Sequence, residues 1–258
     1  MIILISLTCM YSFLGCEKVI DLKLADASPK IVIDAGINDE SANQLVRISK
    51  TYSFTEPNQF NGVSGAKVIV TTESGIQVTY SEISPGIYQS QRFRGRAGNS
   101  YTMDVTVEGK TYTATSRMPD KVILDSISFK ELDVFGKSHI HAAANFEDPP
   151  GVANQYRYIL KLKGKTEEDF VSEDRFNDGN HVSNIVFHEL DDLVSGDNIE
   201  MELQCIDRNV YRYFYSLGQN SGGGGPPVSP ANPPSNFSNG ALGVFNAFTT
   251  SSKSLVLK

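Results

Sequence analysis

The side chains in this sequence that could do chemistry are few and scattered. His139 and His141 stand one residue apart in KSHIHAAANF, and on a strand that spacing puts both imidazoles on one face, as two metal ligands would be. No H-E-x-x-H pattern and no cysteine pair completes such a site. The pair therefore reads as solvent-facing polar residues of a half-buried strand, with Ile140, Ala142, Ala144 and Phe146 on the opposite, apolar face. DRFNDGN, residues 174–180, has a spacing faintly like a calcium loop. Asp174, Asp178 and Gly179 fit that register, but Phe176 and Ile185 fall where oxygen ligands belong, so a tight turn at Asn177-Asp178-Gly179 is the better reading. Gly164-Lys165-Thr166 lacks the upstream glycine of a phosphate loop, and there is no G-x-S-x-G elbow. Carboxylates are plentiful, yet no spacing singles out an acid–base pair. The expectation is a protein that is not an enzyme, with no catalytic residue, no metal and no cofactor.

The three cysteines carry different information. Residues 1–15, MIILISLTCMYSFLG, contain no Asp, Glu, Lys or Arg, and composition changes sharply at Cys16. Such a run is shorter than the roughly 20 apolar residues of a membrane-spanning helix and has the length of a secretory leader. Gly15 immediately before Cys16 is the small residue that lipoprotein processing requires, so Cys16 is expected to be the lipidated N-terminus of the mature chain. Removal of Cys9 with the leader would leave Cys205 as the single free thiol, which cannot build a disulfide framework. In NIEMELQCID, Ile199, Met201, Leu203 and Cys205 share one face of a two-residue period, which makes Cys205 a buried core thiol.

The formal charge of −7, from 23 basic and 30 acidic residues, comes with no basic block. Nucleic-acid binding needs clustered Lys or Arg against phosphate, and anionic headgroups need the same, so neither is an expected partner. A lipid on Cys16 would supply membrane attachment instead, with two or three acyl chains giving stable anchoring where one does not.

The elements that must position these residues are strands. After a polar tether at 16–29, KIVIDAGIN places Ile31, Ile33, Ala35 and Ile37 on one face, and VRISKTYSF places Val46, Ile48, Tyr52 and Phe54 likewise. YTMDVTVEGKTYTATSRM reads as a hairpin with its turn at Gly109-Lys110, and Ser84-Pro85-Gly86 as a second turn. Many short strands and frequent turns predict an all-β fold of two sandwich domains, at 30–119 and 122–258, with the break near Pro119 to Val122. One helix is expected at about 208–218, in the second domain: Val210, Tyr211, Phe214 and Leu217 have helical spacing, with Asp207 as N-cap and Gly218 as the residue after the C-cap.

Residues 221–236, SGGGGPPVSPANPPSN, hold four glycines and five prolines and can form neither helix nor central strand. Pro226, Pro227, Pro233 and Pro234 favour an extended backbone with less entropy to lose on binding, and Phe237 at the loop's exit is a candidate apolar anchor for a partner.

CEKVIDL, PKIVIDAGIN, VSGAKVIV, SPGIY, YTMDVTVEGKTYTATSRMP, FEDPPGVANQYRY, DRFNDG and SNFSNGALGVFNAF occur in that order along nearly the whole chain. On this set the sequence resembles the Bacteroidota lipoprotein family known as domain of unknown function 4249. The stretch from Val63 to Met118 also looks like the transthyretin-like, immunoglobulin-like sandwich of carboxypeptidase regulatory domains. The resemblance implies an outer-membrane lipoprotein, commonly encoded beside TonB-dependent receptors, with Cys16 at the family's lipidated position. It carries over no catalytic residue, because the family has none assigned. The expected function is an accessory binding component of a TonB-dependent nutrient-uptake system at the outer membrane or cell surface. A structural or adhesive surface protein is the alternative, and a hydrolase built on a β-sandwich comes last.

Overall fold

Alternation of apolar and polar residues becomes alternation of buried and exposed side chains in most strands of the structure, a computed structural model that describes residues 28–52, 60–134, 136–220 and 232–257. The first half holds β1 (Ile31–Asn38), β2 (Ala42–Lys50), β3 (Lys67–Thr72), β4 (Gln77–Ser84), β5 (Ile87–Phe93), β6 (Ser100–Val107) and β7 (Lys110–Arg117). The second holds β8 (Ser126–Val134), β9 (Lys137–Glu147), β10 (Gln155–Leu162), β11 (Lys165–Glu173), β12 (His181–Val186) and β13 (Asn198–Cys205), then α1 (Arg208–Asn220) and β14 (Leu242–Val256). The class is all-β with a single helix among the described residues. None of those residues forms a helix long and apolar enough to cross a membrane.

Eleven strands share one sheet, in the order β11-β10-β13-β14-β1-β2-β5-β4-β3-β6-β7, and β12-β9-β8 form a second. β14 is the seam. Its first part, Leu242 to Phe248, runs parallel to β1 from Val32 to Asn38, and its second part, Thr249 to Val256, runs antiparallel to β13. All other strand pairs are antiparallel.

Two hydrophobic cores lie on either side of this seam. The first gathers Ile33, Ile37, Ile48, Val70, Met103 and Phe245. Residues 237–239 close it against β7: the Ser238 N–H donates to the Thr113 carbonyl at 2.8 Å and the Asn239 amide to the Thr111 carbonyl at 2.7 Å. The second core lies between the three-stranded sheet, through Ala142, Ala144 and Phe146, and the β10–β13 end of the large sheet, through Tyr156, Leu160 and Met201.

The strand faces of β1 and β13 are those expected, with small departures elsewhere. β2 ends at Lys50, so Tyr52 lies just beyond it, and Phe54 falls outside the described residues. The β6–β7 turn is Glu108-Gly109, one residue earlier than expected, with φ of 51° and 75°. Two positive φ values in a two-residue loop match the right-handed twist of the flanking strands. Residues 118–125, which include the break expected near Pro119 to Val122, contain no strand but are fastened down: Met118, Val122 and Leu124 are buried. The Leu124 N–H donates to Ser251 Oγ at 2.9 Å, and Lys121 Nζ lies 3.1 Å from Asp39 Oδ2.

Where β14 runs beside β1 the backbones come close. Gly243 has φ of +93°, and a Cβ there would stand 2.0 Å from the Ile33 carbonyl oxygen. Gly240, with φ of +77°, faces open space. Gly243→Ala is therefore expected to destabilise the fold by about 2–4 kcal/mol, whereas Gly240→Ala costs about 1–2 kcal/mol from its left-handed backbone alone. Urea denaturation of both variants checks this, and equal losses would contradict the close approach at the seam.

Candidate functional site

α1 is set in place by one carboxylate. Asp207 Oδ1 accepts the N–H groups of Asn209 and Val210 at 2.8 and 3.0 Å, the expected N-cap. Its Oδ2 accepts the Ser116 hydroxyl and the Arg117 N–H of β7, and Ser116 Oγ in turn accepts the Ala247 N–H of β14 at 3.0 Å. The helix start is thereby tied to both a first-half strand and the seam. Beneath the helix, Ile206, Val210 and Val244 are buried and Phe214 and Phe248 pack against them. The Arg157 guanidinium lies 3.8 Å from the Phe214 ring centroid while its Nε donates to Asp169 at 2.6 Å, so a charged side chain and the helix's apolar face stabilise each other. The helix continues through Gly218 to Asn220, past the expected stop, and Gly218 keeps helical backbone. Leu217 is exposed on that last turn.

The outer face of α1 presents Arg208, Tyr211, Arg212 and Tyr215, with the two tyrosine rings stacked at 5.7 Å. Tyr215 is 51% exposed. Arg212 also lines an open depression with Thr113, Thr115, Asn209 and Pro234, beside the residues at which the Gly/Pro-rich segment rejoins the fold. Of the loop residues singled out in the sequence, Pro226 and Pro227 lie outside the described residues, Pro233 is half-buried and Pro234 is exposed. Phe237 is not available as an anchor for a partner. It is 7% exposed, pairs with Ala114 and packs in the first core, because the closure of β7 by residues 237–239 draws its ring inward.

Cys205 is buried as expected, with the Val122 N–H on its sulfur at 3.3 Å and burial pushing the thiol above its ordinary value, an inert setting. Gly164, with φ of 80°, closes the β10–β11 hairpin. DRFNDGN does form a turn, and the fold adds what spacing could not show: Asp148, from the turn after β9, joins Asp174 and Asp178 with carboxylate oxygens within 4.8 Å of one another. These oxygens accept from the chain itself. Asp148 takes the Tyr156 hydroxyl and the Gly179 N–H, Asp174 the Asn154 N–H at 2.6 Å, and Asp178 the Gly151 N–H at 2.7 Å. The cluster locks two turns together.

The histidine pair divides. His141 is 5% exposed and its Nδ1 lies 3.0 Å from the His188 carbonyl, while Ile140 is 44% exposed, the reverse of the expected faces. The reason is that residues 187–191 lie along β9, with the Leu190 N–H on the Ile140 carbonyl at 2.9 Å, and cover the face that carries His141. His139 remains accessible, with Nδ1 2.5 Å from Asp191 Oδ2 and 3.6 Å from Glu189 Oε2.

Burial raises the Asp174 carboxyl above its ordinary value, and the charges of Asp148 and Asp178 add to this against the pull of the Asn154 N–H. A pKa raised by folding means that this group favours the folded state most when protonated, and that contribution is lost as pH rises through the folded pKa. Asp174→Asn keeps an acceptor for Asn154 and removes one of three like charges. The variant is expected to be the more stable at pH 7, with its advantage over the unaltered protein shrinking as pH falls toward the ordinary aspartate range. Thermal unfolding across that range measures the difference, and a gap independent of pH would rule out the shift.

Searching curated proteins gives no match. Among solved structures, a DUF4785 family protein from Legionella pneumophila subsp. pneumophila str. Philadelphia 1 is similar at 10% identity and a TM-score of 0.25, over 69% of this chain and 52% of that one. A family model matches residues 17–254, and the chain belongs to that family, described as Domain of unknown function (DUF4249).

Proposed function

We propose that this DUF4249 protein is a non-catalytic accessory binding component of a TonB-dependent uptake system, held to the outer membrane by lipid on Cys16. The observation that carries the reading is the outer face of α1. Tyr and Arg are the residue types that concentrate binding energy at protein interfaces, and here Tyr211, Tyr215, Arg208 and Arg212 stand together on one short helix. That helix is braced through Asp207 and Arg157, so little entropy is lost in ordering it against a partner. Pro234 extends the same surface toward the Gly/Pro-rich segment, whose prolines limit the backbone freedom lost on contact.

Anchoring is tested by intact mass of the detergent-extracted protein. The expected species begins at Cys16 and carries diacylglyceryl and N-acyl groups, and a peptide still containing Met1 or an unmodified Cys16 refutes it. The partner is tested by co-expressing the full-length protein with a TonB-dependent receptor of its own genome. Co-purification is expected, and Arg212→Glu with Tyr215→Ala, both on the exposed helix face, should weaken it by about tenfold or more without changing the circular dichroism spectrum. Absence of any complex removes the accessory role, whereas a complex indifferent to both substitutions removes α1 as its contact.

A further inference from the structure

On β9 and the segment laid beside it, three side chains of metal-binding type converge from residues 139 and 189–191. We propose that His139, Glu189 and Asp191 form a binding site for a divalent metal ion of the zinc class. The ligand atoms all lie within 4.8 Å of one another. Around a tetrahedral zinc with bonds of about 2.0–2.1 Å, neighbouring ligand atoms stand roughly 3.3 Å apart. Glu189 Oε2, at 3.6 Å from His139 Nδ1, is near that spacing, and Asp191 Oδ2, at 2.5 Å, reaches it by a retreat of under about 1 Å.

The framework behind the ligands is fixed. Leu190, between the two acids, is 5% exposed. Its N–H donates to the Ile140 carbonyl at 2.9 Å, and the Ile140 N–H donates to Asp191 Oδ1 at 3.1 Å. His188 Nδ1 lies 3.1 Å from Glu168 Oε1, tying the same segment to β11. Only side-chain torsions are left to adjust when an ion enters.

Two further observations point to a cation. Among the described residues neither Glu189 nor Asp191 has a Lys or Arg partner, so two carboxylates share a single imidazole. Two residues along the same strand face, His141 is 5% exposed and its Nε2 has no hydrogen-bond partner. One imidazole with two carboxylates suits zinc better than calcium, which takes six to eight oxygens. Three protein ligands leave a position for water. The Asp148, Asp174 and Asp178 cluster offers oxygen alone, already engaged by its own chain.

The test uses the full-length protein, stripped with a chelator and titrated with zinc chloride against a chromophoric zinc indicator, with calcium chloride in parallel. One equivalent of zinc with a micromolar dissociation constant is expected. His139→Ala should weaken it by about tenfold or more, as should Asp191→Asn, which keeps an acceptor for the Ile140 N–H. Asp148→Asn should leave zinc binding unchanged, and circular dichroism should show all variants folded. No zinc bound in the micromolar range overturns the proposal. So does binding that survives His139→Ala, or binding that is lost with Asp148→Asn in a folded protein.

Discussion

The fold of this DUF4249 protein depends on the backbone hydrogen bonding of one strand. β14 pairs with β1 along its first half and with β13 along its second, and side chains take backbone groups on its other edge: Asn236 meets the Phe245 N–H and C=O, Ser116 the Ala247 N–H and Asp39 the Thr250 N–H. Neither neighbour can be displaced without exposing a row of unpaired backbone groups. Two halves with separate cores thus share a single hydrogen-bonded sheet, and the orientation of one half fixes that of the other. Gly243 is the local condition for this arrangement, since any side chain there would enter the space of the Ile33 carbonyl.

Two carboxylates, Asp39 buried and Asp207 half-buried, reinforce the seam from both sides. Asp39 lies just after β1, where Oδ1 accepts the Thr250 N–H of β14 at 2.9 Å, Oδ2 meets Lys121 and its carbonyl accepts Arg94 Nε at 2.8 Å. Asp207 does the same for the helix, capping α1 while holding Ser116 and, through it, Ala247. Such groups stabilise only when every partner is present, because a buried charge left alone costs more than the pair gains. The consequence is positional: the residues on the outer face of α1 stand where β7 and β14 put them.

Local physics was legible in the sequence. Ile31, Ile33, Ala35 and Ile37 declare a strand face because the pleat has a period of two, and Asp207 declares a helix start because capping is a matter of three residues. What escaped was decided between distant segments. His141 and Ile140 exchange their expected exposures because residues 187–191 lie over β9, and nothing within KSHIHAAANF reports that cover. Phe237 reads as an apolar anchor at the exit of the Gly/Pro-rich stretch until β7 is known to need closing. Glu189, Asp191 and Asp148 carry no local signal, and only the fold brings each to its cluster. The doubled pairing of β14 left no sign beyond the length of its apolar pattern.

The parallel seam also sets how the molecule bears tension. Val32 lies opposite Leu242 and Asn38 opposite Phe248, so the N-terminal end of β1 and the C-terminal end of β14 point to opposite ends of the sheet. A pull between residues preceding Pro29 and the end of β14 would load the β1–β14 ladder in shear. Its seven paired positions would then have to yield together, where a hairpin pulled at its open end unzips one bond at a time. With β2 flanking β1 and β13 flanking β14, the strained ladder sits inside the sheet rather than at an edge. A chain tethered at one end and gripped at the other would be held along this shear-loaded ladder.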